Sequence, residues 1–530
     1  MLKVLVSTRA FAGVVEPGRT IDVVAPGHDR HDSTAELTPG QSTIEVHEDQ
    51  VRLSSDLTGT SPLLWHSDGS QLVVADSPGL LQRAGVDLLP DPIGIKQFRA
   101  AGYTLGERTL LDDVQHVQAG HHVAIELADG ACSDIAPTFQ RPEAERFTTS
   151  DEADVALVSA LDRVFSDALQ RNSGRRLVVP LSGGLDSRLL VAWLRRLGCD
   201  DVLTFSYGRS GSSELRTSQH IAEDFGYEWT SVSLVPEEVT RAWSGPDAAR
   251  FIEFAWGATS LPHVQDWFAL QRLLAERKIE PGDVVLPGHT VIGNLHNESV
   301  LHAASMDREV LVKSLTQAHL NLDGRWKKAF RDPDLGGFVR SFVASTLEGD
   351  SPQHWADAQE LFNVTERQSK YIDNSMKAYE ALGLGWELPM LDAPMWSFAG
   401  RLPLELSEGR NWYRTFVERT LLSMCSDAVP LHRDQRLDAT TTAAVGRALA
   451  RVHLKSPAEH LLACRHTLHH PLGLDLYAAA LPRWELTARL LAGQTIMGIY
   501  ASLFLDGRWN PLVDLHTTPT LGARSSATGI

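Results

Sequence analysis

The run Val178-Val179-Pro180-Leu181-Ser182-Gly183-Gly184-Leu185-Asp186-Ser187-Arg188 holds the residue types best suited to chemistry. Two adjacent glycines let an anion approach the backbone closely. If the run opens a helix, its turn presents N–H groups with no intrahelical acceptor, which suits a phosphate. Ser182 and Ser187 add hydroxyl donors. Asp186 offers a carboxylate better matched to Mg2+ than to phosphate. No Gly-Lys-Ser/Thr follows, so this is not a Walker A loop, and G-x-G-x-x-G is absent from it. The alternative is an ordinary strand-to-helix connection with a capping serine.

The flanking pattern supplies the elements that must position this loop. Arg176 to Leu181 reads as a strand, and Leu189, Leu190, Trp193, Leu194 and Leu197 mark the helix after it. A strand from Val202 to Ser206, a helix carrying Leu215, Ile221, Ala222 and Phe225, and a strand from Trp229 to Leu234 follow. Alternating strands and helices imply a parallel sheet with right-handed crossovers. The loop then lies at the carboxyl end of the first strand, where such sheets bind ligands. An amphipathic helix over Val155 to Leu169 precedes it.

Roughly the first 140 residues read as β-rich, with short alternating runs and turn residues. Leu63-Leu64-Trp65, the turn Ser67-Asp68-Gly69-Ser70 and Leu72-Val73-Val74 form a hairpin pattern; Val51 to Leu53 and Val123 to Leu127 are further strands. Arg141 to Asp154 is the linker expected between the two parts. From about residue 245 the spacing is mainly helical, and the apolar stretch Leu490 to Leu505 reads as a packed helix.

Length and composition bound the function. At about 150 residues per domain, 530 residues argue for two to four domains. A hydrophobic fraction of 43% and a charged fraction of 22% exclude a disordered chain and a small disulfide scaffold. A net charge of −18 provides no global field for nucleic acid. Cys132, Cys199, Cys425 and Cys464 have no C-x-x-C spacing, so reduced and mostly buried thiols are expected. No signal-peptide pattern and no run of about 18 apolar residues is found, so a cytoplasmic protein without membrane partners is expected. His466, His469 and His470 have no carboxylate or cysteine at ligand spacing and are read as structural.

Ser182-Gly183-Gly184-Leu185-Asp186-Ser187 resembles the pyrophosphate loop of the N-type ATP pyrophosphatases, and in particular of the asparagine synthetase family. Leu203-Thr204-Phe205-Ser206-Tyr207-Gly208 with Ser213-Glu214 is similar to that family's second strand and helix start. Arg367 to Tyr371 and Glu387-Leu388-Pro389-Met390-Leu391-Asp392 are similar to its later segments. Asp56-Leu57-Thr58-Gly59-Thr60-Ser61-Pro62-Leu63, Thr109 to Val114 and Ala119-Gly120-His121 are similar to its glutaminase half. The resemblance spans about residues 50 to 415. It implies an α/β chain: a degenerate, β-rich glutaminase-like (αββα) domain over residues 1–145, then a parallel-sheet ATP-binding synthetase domain with a helical C-terminal part over 150–530.

The implied activity is an ATP-dependent, AMP- and pyrophosphate-forming amide synthetase, using ATP and Mg2+ on a small molecule or peptide that carries a carboxylate. The implied nucleotide site comprises Leu181, Ser182, Gly183, Gly184, Leu185, Asp186, Ser187, Arg188 and Gly288, with Phe205 and Ser206 beside adenine and Asp186 on the metal. Arg188 either reaches phosphate or is a solvated first-turn residue.

The chain also departs from that pattern. Glutamine-using relatives carry a cysteine after the initiator Met, where this chain has Leu2, so glutamine hydrolysis is not expected. β-Lactam synthetases and lasso peptide cyclases share that loss and use an amine already in the substrate; ammonia-dependent amidation is the alternative. The family's acidic loop is best matched by Leu286 to Asn294, without its Asp; either Asn294, His289 or Glu387 replaces that ligand, or His289 is a loop histidine with no catalytic role. Glu387 occupies the family's Arg position and either serves as acid/base or caps a turn. Lys455 is the one lysine after Glu387 and so the default for the family's late catalytic lysine, or else an exposed lysine without a role. Two other functions stand beside this one: a nucleobase-modifying relative, disfavoured by the acidic charge, and a catalytically silent ATP-binding scaffold. Oligomeric state stays open, a homodimer and a protein that delivers the substrate included.

Overall fold

The computed structural model describes residues 2–9, 11–27, 38–137, 145–292, 298–301, 307–424 and 455–512. The fold is α/β, with a β-rich N-terminal region, a parallel sheet flanked by helices, and a helical C-terminal part.

The N-terminal region stacks two sheets. Its strands are β1 (Lys3–Ser7), β2 (Ala12–Val14), β3 (Arg19–Val24), β4 (Gln41–Val46), β5 (Gln50–Ser54), β6 (Leu64–Ser67), β7 (Gln71–Ala75), β8 (Gln115–His116), β9 (His121–Glu126) and β10 (Cys132–Pro137). One sheet has the order β2-β1-β7-β6-β8 and the other β10-β9-β5-β4-β3. Alternation decides which faces meet. Val4 and Val6, Ile44 and Val46, Val51 and Leu53, and Leu72 and Val74 point into a shared core. The intervening Val73 and Ala75 point the other way and join the larger core of the second region. The expected hairpin is β6–β7. Its turn closes because Asp68 Oδ1 accepts from the Ser70 and Gln71 amides, at 2.8 and 2.9 Å.

Two helices, α1 (Pro78–Arg83) and α2 (Pro92–Ala101), complete this region. The chain re-enters helix at α3 (Ser150–Arg171), where Thr149 accepts from the Glu152 amide. The linker expected over Arg141 to Asp154 therefore ends sooner, because the Thr149 cap starts the helix at Ser150; residues 138–144 lie outside the described set.

The second sheet system has the order β13-β12-β11-β14-β15 and is entirely parallel. Its members are β11 (Leu177–Pro180), β12 (Val202–Gly208), β13 (Glu228–Ser233), β14 (Val284–Val285) and β15 (Gly385–Trp386). Helices α4 (Leu185–Arg196) and α5 (Ser213–Phe225) connect the first three. Every residue of β12 is buried, as expected for an inner parallel strand covered on both faces. β14 and β15 fall in the stretch expected to be helical. Strands of two residues carry no periodicity, and their sheet neighbours rather than their own pattern create them.

Leu490 to Leu505 is two helices, Arg483–Leu491 and Ile496–Leu505, not one. The break falls at Gly493, with φ +91°, and Thr495 caps the second helix through the Gly498 amide. The pair is bent by 118°, and no single described helix is long and apolar enough to cross a membrane. Of the three described cysteines only Cys464 is buried; Cys132 is exposed, because the exposed strand start it occupies leaves it outside the core.

A buried polar joint ties the two regions together. The helical segment Asn363–Ile372 carries Glu366 and Lys370, 1% and 6% exposed, one turn apart. Lys370 Nζ donates to Glu366 Oε2 at 2.7 Å and to the carbonyls of Thr104 and Gly106 at 2.8 and 2.7 Å. Glu366 accepts in turn from the Gly106 amide and from Gln118. Beside it, Asp56 is fully buried and accepts from the Thr58, Thr60 and Ser61 amides, which curls Asp56 to Ser61 into a tight turn. A Cβ on Gly59 would come within 3.3 Å of Ala119 and 3.5 Å of the Ser369 carbonyl. The segment that resembles a glutaminase motif thus forms part of the seat for this helical segment.

Candidate functional site

The site grows out of the middle strand of the parallel sheet. β11 ends at Pro180, level with Phe205 of β12. Leu181 N donates to the Phe205 carbonyl at 2.8 Å, and the chain then leaves the sheet. Two serines brace the turn. Ser182 N donates to Ser187 Oγ at 3.1 Å, the two hydroxyls meet at 3.1 Å, and Gly184 N donates to Ser182 Oγ at 3.1 Å. Gly184 is exposed and caps α4, with Asp186 in the first turn. The amides at the start of α4 therefore face the space beyond the sheet.

Gly288 supports the loop from β14. A Cβ there would lie 2.9 Å from Ser187 N and 3.2 Å from its Cα, so no side chain fits. Gly183 differs, since a Cβ there would meet only Thr217 Cγ2 at an ordinary 3.6 Å. Gly288→Ala should therefore displace α4's first turn and lower both stability and ATP affinity, with about 1–3 kcal/mol of destabilisation. Gly183→Ala should melt like the parent and weaken ATP alone. Thermal melts paired with nucleotide titration separate the two.

The other sequence-derived residues fall as follows. Ser187 is buried behind the loop. Arg188 is 1% exposed, not solvated: α4 turns it inward, and burial pulls its guanidinium below the usual range. Phe205 and Ser206 are buried in β12, which runs past β11 through Ser206, Tyr207 and Gly208. That overhang leaves strand backbone beside the loop without a β11 partner. Tyr207 of that overhang donates to Asp266, which also accepts from Tyr379. Lys455 begins the helix Lys455–Leu468, and its side chain lies outside the described set, as does Asn294.

Glu387 is 7% exposed and held by α3. Arg171 donates to both its oxygens, at 3.1 and 2.7 Å, and Asn172 Nδ2 donates to Oε1 at 2.8 Å. Glu387 directly follows β15; Trp386 is level with Val285, which is level with Val178, so Glu387 lies one residue short of the end of β11. These contacts make it a tie between α3 and β15.

Two residues absent from the sequence reading enter here. Asp373 is buried and lies 3.4 Å from His289 Nδ1, so an acid from a distant segment faces the loop that lacks its own. Burial pushes its carboxyl pKa up, while His289 and Gln368 pull it back. Arg410 Nη2 lies 2.5 Å from Asp186 Oδ1. The one sequence signal for it is Gly409-Arg410, a turn just before the helix Asn411–Met424.

Among solved structures the chain is similar to the NH3-dependent NAD synthetase from Campylobacter jejuni subsp. jejuni NCTC 11168 in complex with the nitrate ion. That likeness has 13% identity, covers 38% of this chain and 83% of the other, and has a TM-score of 0.19. A search of curated proteins finds no match. The family description asparagine synthase matches residues 160–429, just over half of the 530, and spans β11, the loop, α4, Gly288, Glu387 and Arg410. By that match the chain belongs to the asparagine synthase family.

Proposed function

We propose that this protein is an ATP-dependent ligase that adenylates a substrate carboxylate, releases pyrophosphate and joins the acyl group to an amine not made at a glutaminase site of its own. Family membership supports ATP use and the ligase class. The carrying observation is the braced Ser182–Ser187 turn, a set of amides and hydroxyls opening α4 beside the overhanging edge of β12.

The residues fit the nucleotide. The Gly288 contact keeps the loop's rear closed to side chains, while exposed Gly184 leaves its front open to a phosphate. They also fit Mg2+, which takes one or two carboxylates and completes its shell with phosphate oxygens and water. Asp186 is the carboxylate in the loop, 23% exposed at its side chain. The metal, when bound, would offset phosphate charge.

The chain's own groups do the rest. Loop amides and the two serine hydroxyls hold the departing pyrophosphate and stabilise the charge that builds on it. Ser206 to Gly208 supply backbone for adenine. The reaction forms the acyl–phosphate oxygen bond at the α-phosphorus and breaks the α–β bridge; the amine then displaces AMP and gives up a proton. Leu2 is packed in the N-terminal core at 7% exposed.

The test is pyrophosphate release with AMP as co-product, over a panel of carboxylic acids. Each acid is offered alone, with ammonia, and with an external amine, so that the arms distinguish the amine source. ATP converted to AMP with an acid supports the reading. No ATP binding at millimolar concentration overturns it.

A further inference from the structure

Asp186 is already engaged, and the residue that engages it is built to reach it. Arg410 comes from the turn before the helix Asn411–Met424, which packs along α4 and stacks Phe416 on Trp193 at 6.4 Å. Gly409 and Arg410 both sit in the left-handed region, with φ of +62° and +54°. Glycine adopts that conformation freely and arginine does not, so the contact is held against a local backbone preference. The guanidinium rests 4.8 Å over the Tyr413 ring, which fixes its plane. A buried donor is left over: Arg410 Nε makes no hydrogen bond.

A guanidinium stays charged at any physiological pH. A divalent cation on Asp186 would face that charge at close range and weaken the pair. The nearest strong acceptors for the displaced guanidinium would then be the phosphates on the loop, two to four residues along the chain from Asp186. Arginine binds phosphate well because its planar fork gives parallel charge-assisted bonds, and the unspent Nε–H is part of that fork.

We propose that Arg410 is a phosphate-binding residue of the nucleotide site, parked on Asp186 until the nucleotide and its metal take that carboxylate. This rests on the reading of the loop as an ATP site, and the experiment keeps the two apart. The full chain is titrated calorimetrically with MgATP and with Mg2+ alone, for the parent, Arg410→Ala, Arg410→Lys and Arg410→Gln.

Arg410→Ala is expected to bind MgATP about tenfold more weakly or worse, with Arg410→Lys in between. It should bind Mg2+ alone at least as tightly as the parent, because a competing cation has gone. Unchanged or tighter MgATP binding by Arg410→Ala overturns the proposal and makes Arg410 a plug. If the alanine variant does not melt cooperatively, Arg410→Gln carries the same two predictions. A parent that fails to bind MgATP overturns the ATP-site reading itself, and Arg410 with it.

Discussion

Asp186→Asn should reduce turnover by about 10³-fold while leaving the fold intact. The substitution is isosteric, and the side-chain amide oxygen can still accept from Arg410, whose contact with Asp186 spans 224 positions. Its side chain is 23% exposed, so no large desolvation change accompanies the loss of charge. The expected deficit is therefore chemical: a neutral amide is a poorer Mg2+ ligand than a carboxylate. The sign for nucleotide alone is opposite. Removing a negative charge beside the phosphates should leave metal-free ATP bound as tightly as before, or more tightly. Calorimetry with and without Mg2+, alongside the pyrophosphate assay, reads both quantities. Turnover within tenfold of the parent would remove Asp186 from the site, and a parent with no turnover on any acid would favour a silent scaffold.

The same residue shows what a sequence can carry. Ser182 to Ser187 was readable because its chemistry is local: glycines, hydroxyls and a carboxylate within six positions, between an apolar run and a helical one. β11, α4, β12, α5 and β13 were readable for the same reason, the helices by their period and the strands as short apolar or β-branched runs between turns. β14 and β15 were not, because two residues have no period. Glu387 could be assigned to a pattern but not to a partner, since Arg171 lies 216 positions away. Asp373 is not legible in sequence, because the loop of Gly288 and His289 contains no acid and the fold brings one from the segment after Lys370. Arg188 was ambiguous from sequence because first-turn arginines face either way; packing of α4 turned it inward.

For the side chains the cause is shared: the environment of each comes from elements far away in sequence. The loop's own residues carry the resemblance, while its surroundings, with Asp373 beside His289, Arg410 on Asp186 and Arg171 under Glu387, are drawn together from distant segments.

Whether those surroundings stay in place depends on the joint at Lys370, and Lys370→Met should be the most destabilising single change in that joint. Methionine keeps the length of the side chain but removes three hydrogen bonds, leaving Glu366 buried without its cation. Breaking one half of a buried pair costs about 3–5 kcal/mol, most of it the burial of the remaining charge. Burial already pushes Glu366 above its ordinary value of 4.5, with Lys370 the main influence pulling it back. Without Lys370 it should rise further and take up a proton on folding. Glu107, which burial also pushes up, and the Tyr103 hydroxyl face the same space, and neither can supply the missing cation.

The sign of the pH dependence follows. A carboxyl whose folded pKa exceeds its unfolded one favours the folded state below the unfolded pKa and loses that advantage as pH rises through the folded value. The gap in denaturation midpoint between Lys370→Met and the parent should therefore be widest near neutral pH and narrow as pH falls toward 4.5. Glu366→Gln/Lys370→Met, which removes both charges, should recover much of the loss at neutral pH and flatten that dependence. Denaturant titrations at several pH values decide it. A deficit in Lys370→Met that does not change with pH would mean that lost packing, not the stranded Glu366 charge, sets the strength of the joint.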